Sequence, residues 1–192
     1  MRLPGALSPA QGRWERAFKL QFVTSPFDTA DFRAVLGRFS TGITVVTSLQ
    51  NGVPHAMTAS AFTSVSLDPP LVLVCVDKGV RMHDAMLSCG AWAASVLTGA
   101  QRDLAERFAR SGRDLFTQFV GVPTIEAPKT GCPVIEGALS WLECRTWATY
   151  DGGDHTIVVG EVLSLAVDEE VGPDALVYWR GGYGKLGQPE VT

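Results

Sequence analysis

Met57-Thr58-Ala59-Ser60-Ala61-Phe62-Thr63-Ser64-Val65-Ser66-Leu67-Asp68-Pro69-Pro70-Leu71-Val72 is the stretch on which the fold of this chain turns. Five hydroxyl side chains fall between Thr58 and Ser66, directly ahead of the Asp68-Pro69-Pro70 break. Two successive prolines neither donate to a sheet ladder nor continue a helix, so the segment before them must stop there. The apolar run Leu71–Val76 beyond the break reads as a buried strand. Hydroxyls ahead of the break suit the polar face of a strand running into a turn. Beside free strand-edge amides they also suit a phosphate or the polar rim of a planar ring. Composition alone leaves both readings open.

Working outward, 43–48 reads as a strand, and Asn51-Gly52 as a tight turn into a second strand over 55–62. Upstream, Phe32, Val35, Leu36 and Phe39 have helical spacing behind Asp28 or Thr29 as N-cap, and Thr41-Gly42 ends that helix. Downstream, a short helix over 81–88 stops near Gly90, a strand covers 92–97, and Thr98-x-x-Gln101 is a capping-box pattern. The helix it opens runs to just before Gly112, with Leu104 and Phe108 inward and Arg102, Glu106 and Arg110 outward. Residues 112–138, rich in turn formers, read as a long irregular connection. Two long strands, 141–150 and 155–167, flank the Asp151-Gly152-Gly153-Asp154 turn; a last strand over 176–179 leads into the glycine-rich Arg180–Gly184. Hairpins dominate and helices are few, so the expected fold is mainly β, a barrel and not a parallel α/β sheet. Trp14, Phe18 and Phe22 lie at i, i+4 and i+8, the stripe of a short amphipathic helix. The expected organisation is an N-terminal arm over 1–25, a domain over 26–187 and a tail over 188–192.

The formal charge of −4 argues against nucleic acid, which demands a dense basic face. It leaves room for a phosphorylated cofactor held by a few local donors. The N-terminal stretch lacks a signal-peptide core, and no run is apolar enough to span a bilayer. Cys75, Cys89, Cys132 and Cys144 form no C-x-x-C pair and sit among small or apolar residues, so buried free thiols in a reducing cytoplasm are expected, with no metal site.

Two further clusters bear on chemistry. Asp77-Lys78-Gly79-Val80-Arg81 joins a strand to a helix, where N-terminal amides attract anions and Lys78 or Arg81 adds charge; taken alone, a solvated cap is the commoner reading of such a segment. Gly153-Asp154-His155-Thr156 places a histidine beside a carboxylate at a strand entry, suited to orienting a substrate or to an ordinary surface turn. Gly182-x-Gly184-x-x-Gly187 matches the dinucleotide fingerprint in form only, since five residues follow it and no helix and strand can.

The order of the blocks carries more than any one of them. Phe32-Arg33-x-x-Leu36-Gly37-x-Phe39-x-Thr41-Gly42-Ile43-Thr44-Val45-Val46-Thr47, the 57–72 stretch, Leu104-Ala105-x-Arg107-Phe108, Gly153–Val162 and Arg180–Gly184 together resemble the flavin reductase-like, FMN-binding split-barrel family over residues 28–187. The resemblance implies a split β-barrel homodimer with FMN or FAD near the subunit interface. It implies flavin contacts from Thr58, Ala59 and Ser60 and from the Ser64, Val65, Ser66 turn. Asp77, Lys78 and Arg81 would lie near the ribityl phosphate, His155 near the flavin and nicotinamide rings, and Tyr183 over the site. Relatives often carry Ser where this chain has Val80, which removes one phosphate hydroxyl. The implied activity is reduction of flavin by NADH or NADPH for a separate monooxygenase, with His155 positioning the nicotinamide. A flavin carrier or redox sensor, and an oxidase or haem-handling barrel, are the alternatives.

Overall fold

The computed structural model describes residues 25–172 and 174–187. The expected helix over Trp14–Phe22 lies outside the described residues. Among them, 25–38 and 39–187 belong to two compact units. The first carries helix α1 (Thr29–Leu36), capped by the Asp28 carboxylate, which accepts from the Asp31 amide at 2.8 Å. This helix stops at Leu36, short of the expected Phe39, because Gly37 caps it.

The second unit begins with β1 (Thr41–Gly42), β2 (Thr44–Gln50), β3 (Val53–Ala59), β4 (Phe62–Leu67) and β5 (Pro70–Asp77). Helix α2 (Arg81–Cys89), β6 (Ala91–Val96), a 3-10 turn (Gly99–Gln101) and α3 (Arg102–Ala109) follow. The remainder is β7 (Thr124–Glu126), β8 (Pro133–Ile135), β9 (Ser140–Gly152), β10 (His155–Val167), β11 (Ala175–Trp179) and β12 (Gly182–Leu186). Seven strands form one antiparallel sheet in the order β3-β2-β6-β9-β10-β5-β4. β3 and β4 are thus opposite edges of the sheet, yet only Ser60 and Ala61 separate them in the chain. A two-residue link spans at most about 10 Å. The sheet must therefore curl until its edges meet, leaving a seam with no ladder between them.

The packing agrees. Ala59 of β3, Val46 of β2, Trp92 of β6, Cys144 of β9, Val158 of β10 and Val74 of β5 share one core, with Phe62 of β4 and Met82 and Met86 of α2 packed into it. Residues from all seven strands around one interior make a split β-barrel. α2 turns Met82, Ala85 and Met86 inward at helical spacing and ends on Gly90, whose φ of 68° lets its amide reach the Met86 carbonyl. A second core joins Ile43, Val45, Leu97, Phe108 and Leu176, so β2 is buried on both faces.

Several expectations change here. The single strand expected over 55–62 is two strands that cross from one sheet edge to the other. Thr41-Gly42 pairs with β11. The connection over 112–138 contains the β7–β8 hairpin, and Gly182–Leu186 forms β12 against β11. Cys132 and Cys144 are buried, and burial pushes the Cys144 thiol up to about 12. Cys75 is half-buried and Cys89 is exposed, because α2 turns its last residue to solvent.

Candidate functional site

The seam opens into a cleft of about 350 Å³. Its floor is β3 and the link, His55 through Ala61; its walls are Gly79–Met82 at the start of α2 and residues 108–113 at and beyond the end of α3, with Cys75, Asp77 and His155 beside them. Among the described residues β3 pairs on one side only, with β2. The Pro54 and Ala56 carbonyls face the seam, accepting from Gln118 Nε2 and an Arg113 guanidinium nitrogen at 2.7 Å each. Strand alternation turns the Thr58 amide and carbonyl the same way. The Thr58 hydroxyl itself donates to the Ala105 carbonyl of α3 at 2.7 Å, fixing this edge against the helix.

Arg81, Arg110 and Arg113 line the cleft, and none pairs with a carboxylate among the described residues. Burial, then repulsion from Arg81 and Arg107, lowers the Arg113 pKa. Burial, then Arg81, pushes the His55 imidazole down. Asp77 is the one carboxylate of the lining among the described residues, and its Oδ1 accepts from the Gly79 amide at 2.6 Å. An acidic chain thus gathers unpaired cations at one concave place, an arrangement that favours a phosphorylated ligand. α2 adds its N-terminal dipole, since Val80 offers no side-chain cap.

His155 stands where β10 begins, opposite Asp77 of β5. Its Nδ1 lies 2.7 Å from Asp154 Oδ1, which places the proton on Nδ1 and leaves Nε2 as the second functional nitrogen. That hydrogen bond holds the Asp154 carboxyl below its usual value. Lys78 clamps the hairpin that carries this pair: its ammonium bonds Asp151 and, at 2.6 Å, the Gly153 carbonyl, and its amide reaches the Asp154 carbonyl.

Of the residues singled out in the sequence, the cleft brings together Thr58, Ala59, Ser60, Asp77, Arg81 and His155. Lys78 serves the hairpin. Ser64, Val65 and Ser66 lie on β4 across the seam and outside the lining; Val65 is the extra residue of a bulge, and the Ser66 hydroxyl accepts from the Asp68 amide. Tyr183 sits on β12, edge-on to Tyr178 and under Arg102, packed on the second core. Sequence reasoning gave no role to His55, which follows Pro54 at a strand start, nor to Arg110 and Arg113. Arg110 has the spacing of an outward helical residue, but α3 ends at Ala109 and Arg110 turns to extended backbone, which brings it to the cleft. The arginine content of 107–113 was the available signal.

Comparison with known proteins agrees with this geometry. Residues 36–187 match the model of the flavin reductase like domain. The chain is 38% identical over 170 residues to the reductase subunit HsaB of a flavin-dependent monooxygenase of Mycobacterium tuberculosis, covering 88% of each. It is 43% identical over 143 residues to an NADH-dependent FAD reductase of Streptomyces globisporus, covering 74% of this chain and 78% of that one. Among solved structures, BorF, the flavin reductase component of a bacterial two-component tryptophan halogenase, superposes with a TM-score of 0.79 at 42% identity, over 84% of this chain and all of that one. The Streptomyces globisporus NADH:FAD oxidoreductase, solved with NAD and FAD fragments, gives 0.80 at 37% identity over 90% of this chain and 100% of that one. A domain match across most of the chain, on a split barrel with a cation-lined seam, makes this chain a member of the flavin reductase-like family.

Proposed function

We propose that this chain is an NAD(P)H:flavin oxidoreductase that reduces FMN or FAD and supplies the reduced flavin to a separate monooxygenase. The observation that carries the reading is the cleft: unpaired arginines concentrated along the free edge of β3 in a chain of net charge −4. The lining fits a phosphorylated flavin. Arg81 and the amides opening α2 suit the phosphate, the Thr58–Ser60 edge suits the polar rim of a planar ring, and Met57, Ala59 and Phe108 offer apolar surface. The volume falls in the range of small-molecule sites, about 300–1,000 Å³. Bound flavin supplies the two-electron acceptor for a nicotinamide hydride, chemistry that belongs to the cofactors.

The chain's own part is alignment. His155 orients the nicotinamide and holds a proton at Nε2 in its cationic form, Asp154 fixes its ring, and Lys78 holds the hairpin beneath both. Asp77 shapes the loop through the Gly79 amide. A protein that only aligns two rings needs no strong acid–base pair, since alignment supplies about 7–11 kcal/mol.

The working domain is 26–187, flanked by the arm 1–25 and the tail 188–192. A homodimer is supported by β10, whose Leu163, Leu165 and Val167 lie exposed on one strand face, the last two 65% and 63% exposed. Four free cysteines support a reducing cytoplasm, and no helix among the described residues is long and apolar enough to cross a membrane.

Loss of nicotinamide absorbance with NADH or NADPH and added FMN or FAD tests the reading. Flavin-dependent consumption is expected, and His155→Ala should slow turnover about 10- to 100-fold while keeping flavin affinity. Flavin binding without consumption for any donor would make the protein a carrier or sensor.

A further inference from the structure

We propose that His55 and Arg113 complete, with Arg81, a phosphate-ester subsite at the start of β3, in which His55 binds the flavin phosphate as the imidazolium. The inference rests on the flavin reading above and extends it to two residues which that reading leaves without a role.

His55 is 5% exposed, and its Nδ1 has no hydrogen-bond partner among the described residues although the residue lines the cleft. Buried polar atoms in native folds are nearly always paired, so an orphan needs a reason, and a ligand oxygen is one. Arg113 carries the same mark: its Nε is buried and unpartnered. One terminal nitrogen of Arg113 donates to the Ala56 carbonyl at 2.7 Å, and the guanidinium carbon lies 5.7 Å from the Phe108 ring centre. These contacts hold the fork beside the residue next to His55. Arg81 closes the group by donating to the Arg113 carbonyl. No carboxylate pairs with either arginine or with His55 among the described residues, and Asp77 is engaged with the Gly79 amide. Asp77 sets one negative charge against the three arginines of the lining, so an anionic ligand meets an excess of positive charge there.

The arrangement has a thermodynamic signature. Burial and then Arg81 of α2 hold the imidazole below its ordinary value; Arg113, bonded to the adjacent Ala56 carbonyl, Asp77 of β5 and His155 of β10 share its cleft, and cations outnumber the one carboxylate. An arriving phosphate reverses that balance and favours the imidazolium. Phosphate binding therefore takes up a proton, and its affinity falls as pH rises from the depressed value of the free protein to the raised value of the complex. Riboflavin, which has no phosphate, binds without this linkage.

Calorimetric titration with FMN and with riboflavin at about pH 7, in two buffers of different protonation enthalpy, tests this on the unaltered protein. FMN should take up a substantial fraction of one proton and riboflavin none. In His55→Gln the uptake should vanish and the FMN-to-riboflavin affinity ratio should fall about tenfold, in the range of one charge-assisted hydrogen bond. The phosphate's own second ionisation, near pH about 6, is common to both proteins and cancels. Equal uptake with riboflavin, or uptake surviving in His55→Gln, would overturn the subsite. Uptake with NADPH but not with NADH or FMN would contradict the flavin assignment and give the same cations to the nicotinamide's extra phosphate. Failure of both flavins to bind would sink the proposed function, and this inference with it.

Discussion

Glu143 and His55 are both buried polar side chains on strands of one sheet, and the fold treats them in opposite ways. Glu143 is fully buried, and its carboxylate accepts from the Lys129 amide at 3.0 Å, the Thr130 amide at 2.7 Å and the Thr130 hydroxyl at 2.9 Å. It caps the turn of the β7–β8 hairpin, and every donor it meets comes from the chain itself. His55 is also buried, but its Nδ1 is unmatched among the described residues, Arg81 depresses its imidazole, and Arg113 bonds the next residue's carbonyl. Where a polar group serves the fold, the chain surrounds it with partners. Where the chain leaves such a group open, beside a cleft with unpaired charge, it is shaped for something that arrives later.

Substitutions sharpen the contrast. Glu143→Ala should have the largest effect, on the order of 3 kcal/mol or more of stability, because three donors lose their acceptor at about 1–3 kcal/mol each; denaturant unfolding measures it. The packed side of the molecule should be nearly as intolerant at Gly160. A Cβ there would lie 2.4 Å from the Trp92 ring and 2.7 Å from the Cys144 Cβ, both completely buried. Gly160→Ala should cost about 1–3 kcal/mol by overpacking, visible as a lower midpoint in the same unfolding curves.

The cleft should respond the other way round. Arg113→Met removes a half-buried cation with no carboxylate partner among the described residues but also the donor to the Ala56 carbonyl; relief of the buried charge offsets the lost bond, so stability should fall by no more than about 1–2 kcal/mol. FMN affinity should nevertheless fall on the order of tenfold, the worth of one charge-assisted contact. A large loss of stability with no loss of FMN affinity would move Arg113 to Glu143's side of the comparison.

The smallest effect belongs to the hairpin clamp. Lys78 lowers the Asp151 carboxyl below its ordinary value, first by a hydrogen bond and then by charge. A depressed carboxyl stabilises the fold above its unfolded value, about 3.9, and that contribution is lost as pH falls through the folded value. Lys78→Met should therefore lower Tm slightly, by an amount constant across neutral pH that closes only in acid. Melting curves across pH check it, and a deficit varying around neutrality would point to a different partner. Its effect on turnover, through the position of His155, should exceed its effect on Tm.

The sequence carries the barrel better than the cleft. Hairpin turns such as Asn51-Gly52 and Asp151–Asp154 are local, and the alternation around them needs no tertiary information. The seam is not local: 55–62 looks like one strand because nothing in its composition says that Ser60-Ala61 joins opposite edges of a sheet. Only the strand order reveals that. The short β1 and the β7–β8 hairpin escaped because two or three residues carry no periodicity. At the site, residues near recognisable blocks were legible, Arg81 and His155 among them. Arg113 and His55 were not, since their meaning lies in missing partners, and a missing hydrogen bond leaves no trace in a sequence. Lys78 illustrates the converse, a cation at an apt position whose charge the hairpin tip uses.

A flavin seated in the seam along β3, its phosphate held by the unpaired cations there, would be visible directly in a crystal structure of the protein soaked with FMN. The ring is expected against the Thr58–Ser60 edge, with the phosphate within hydrogen-bond distance of Arg81, Arg113 and His55. A flavin bound away from this seam, or one whose phosphate points to solvent while those three groups stay unpaired, would contradict that placement.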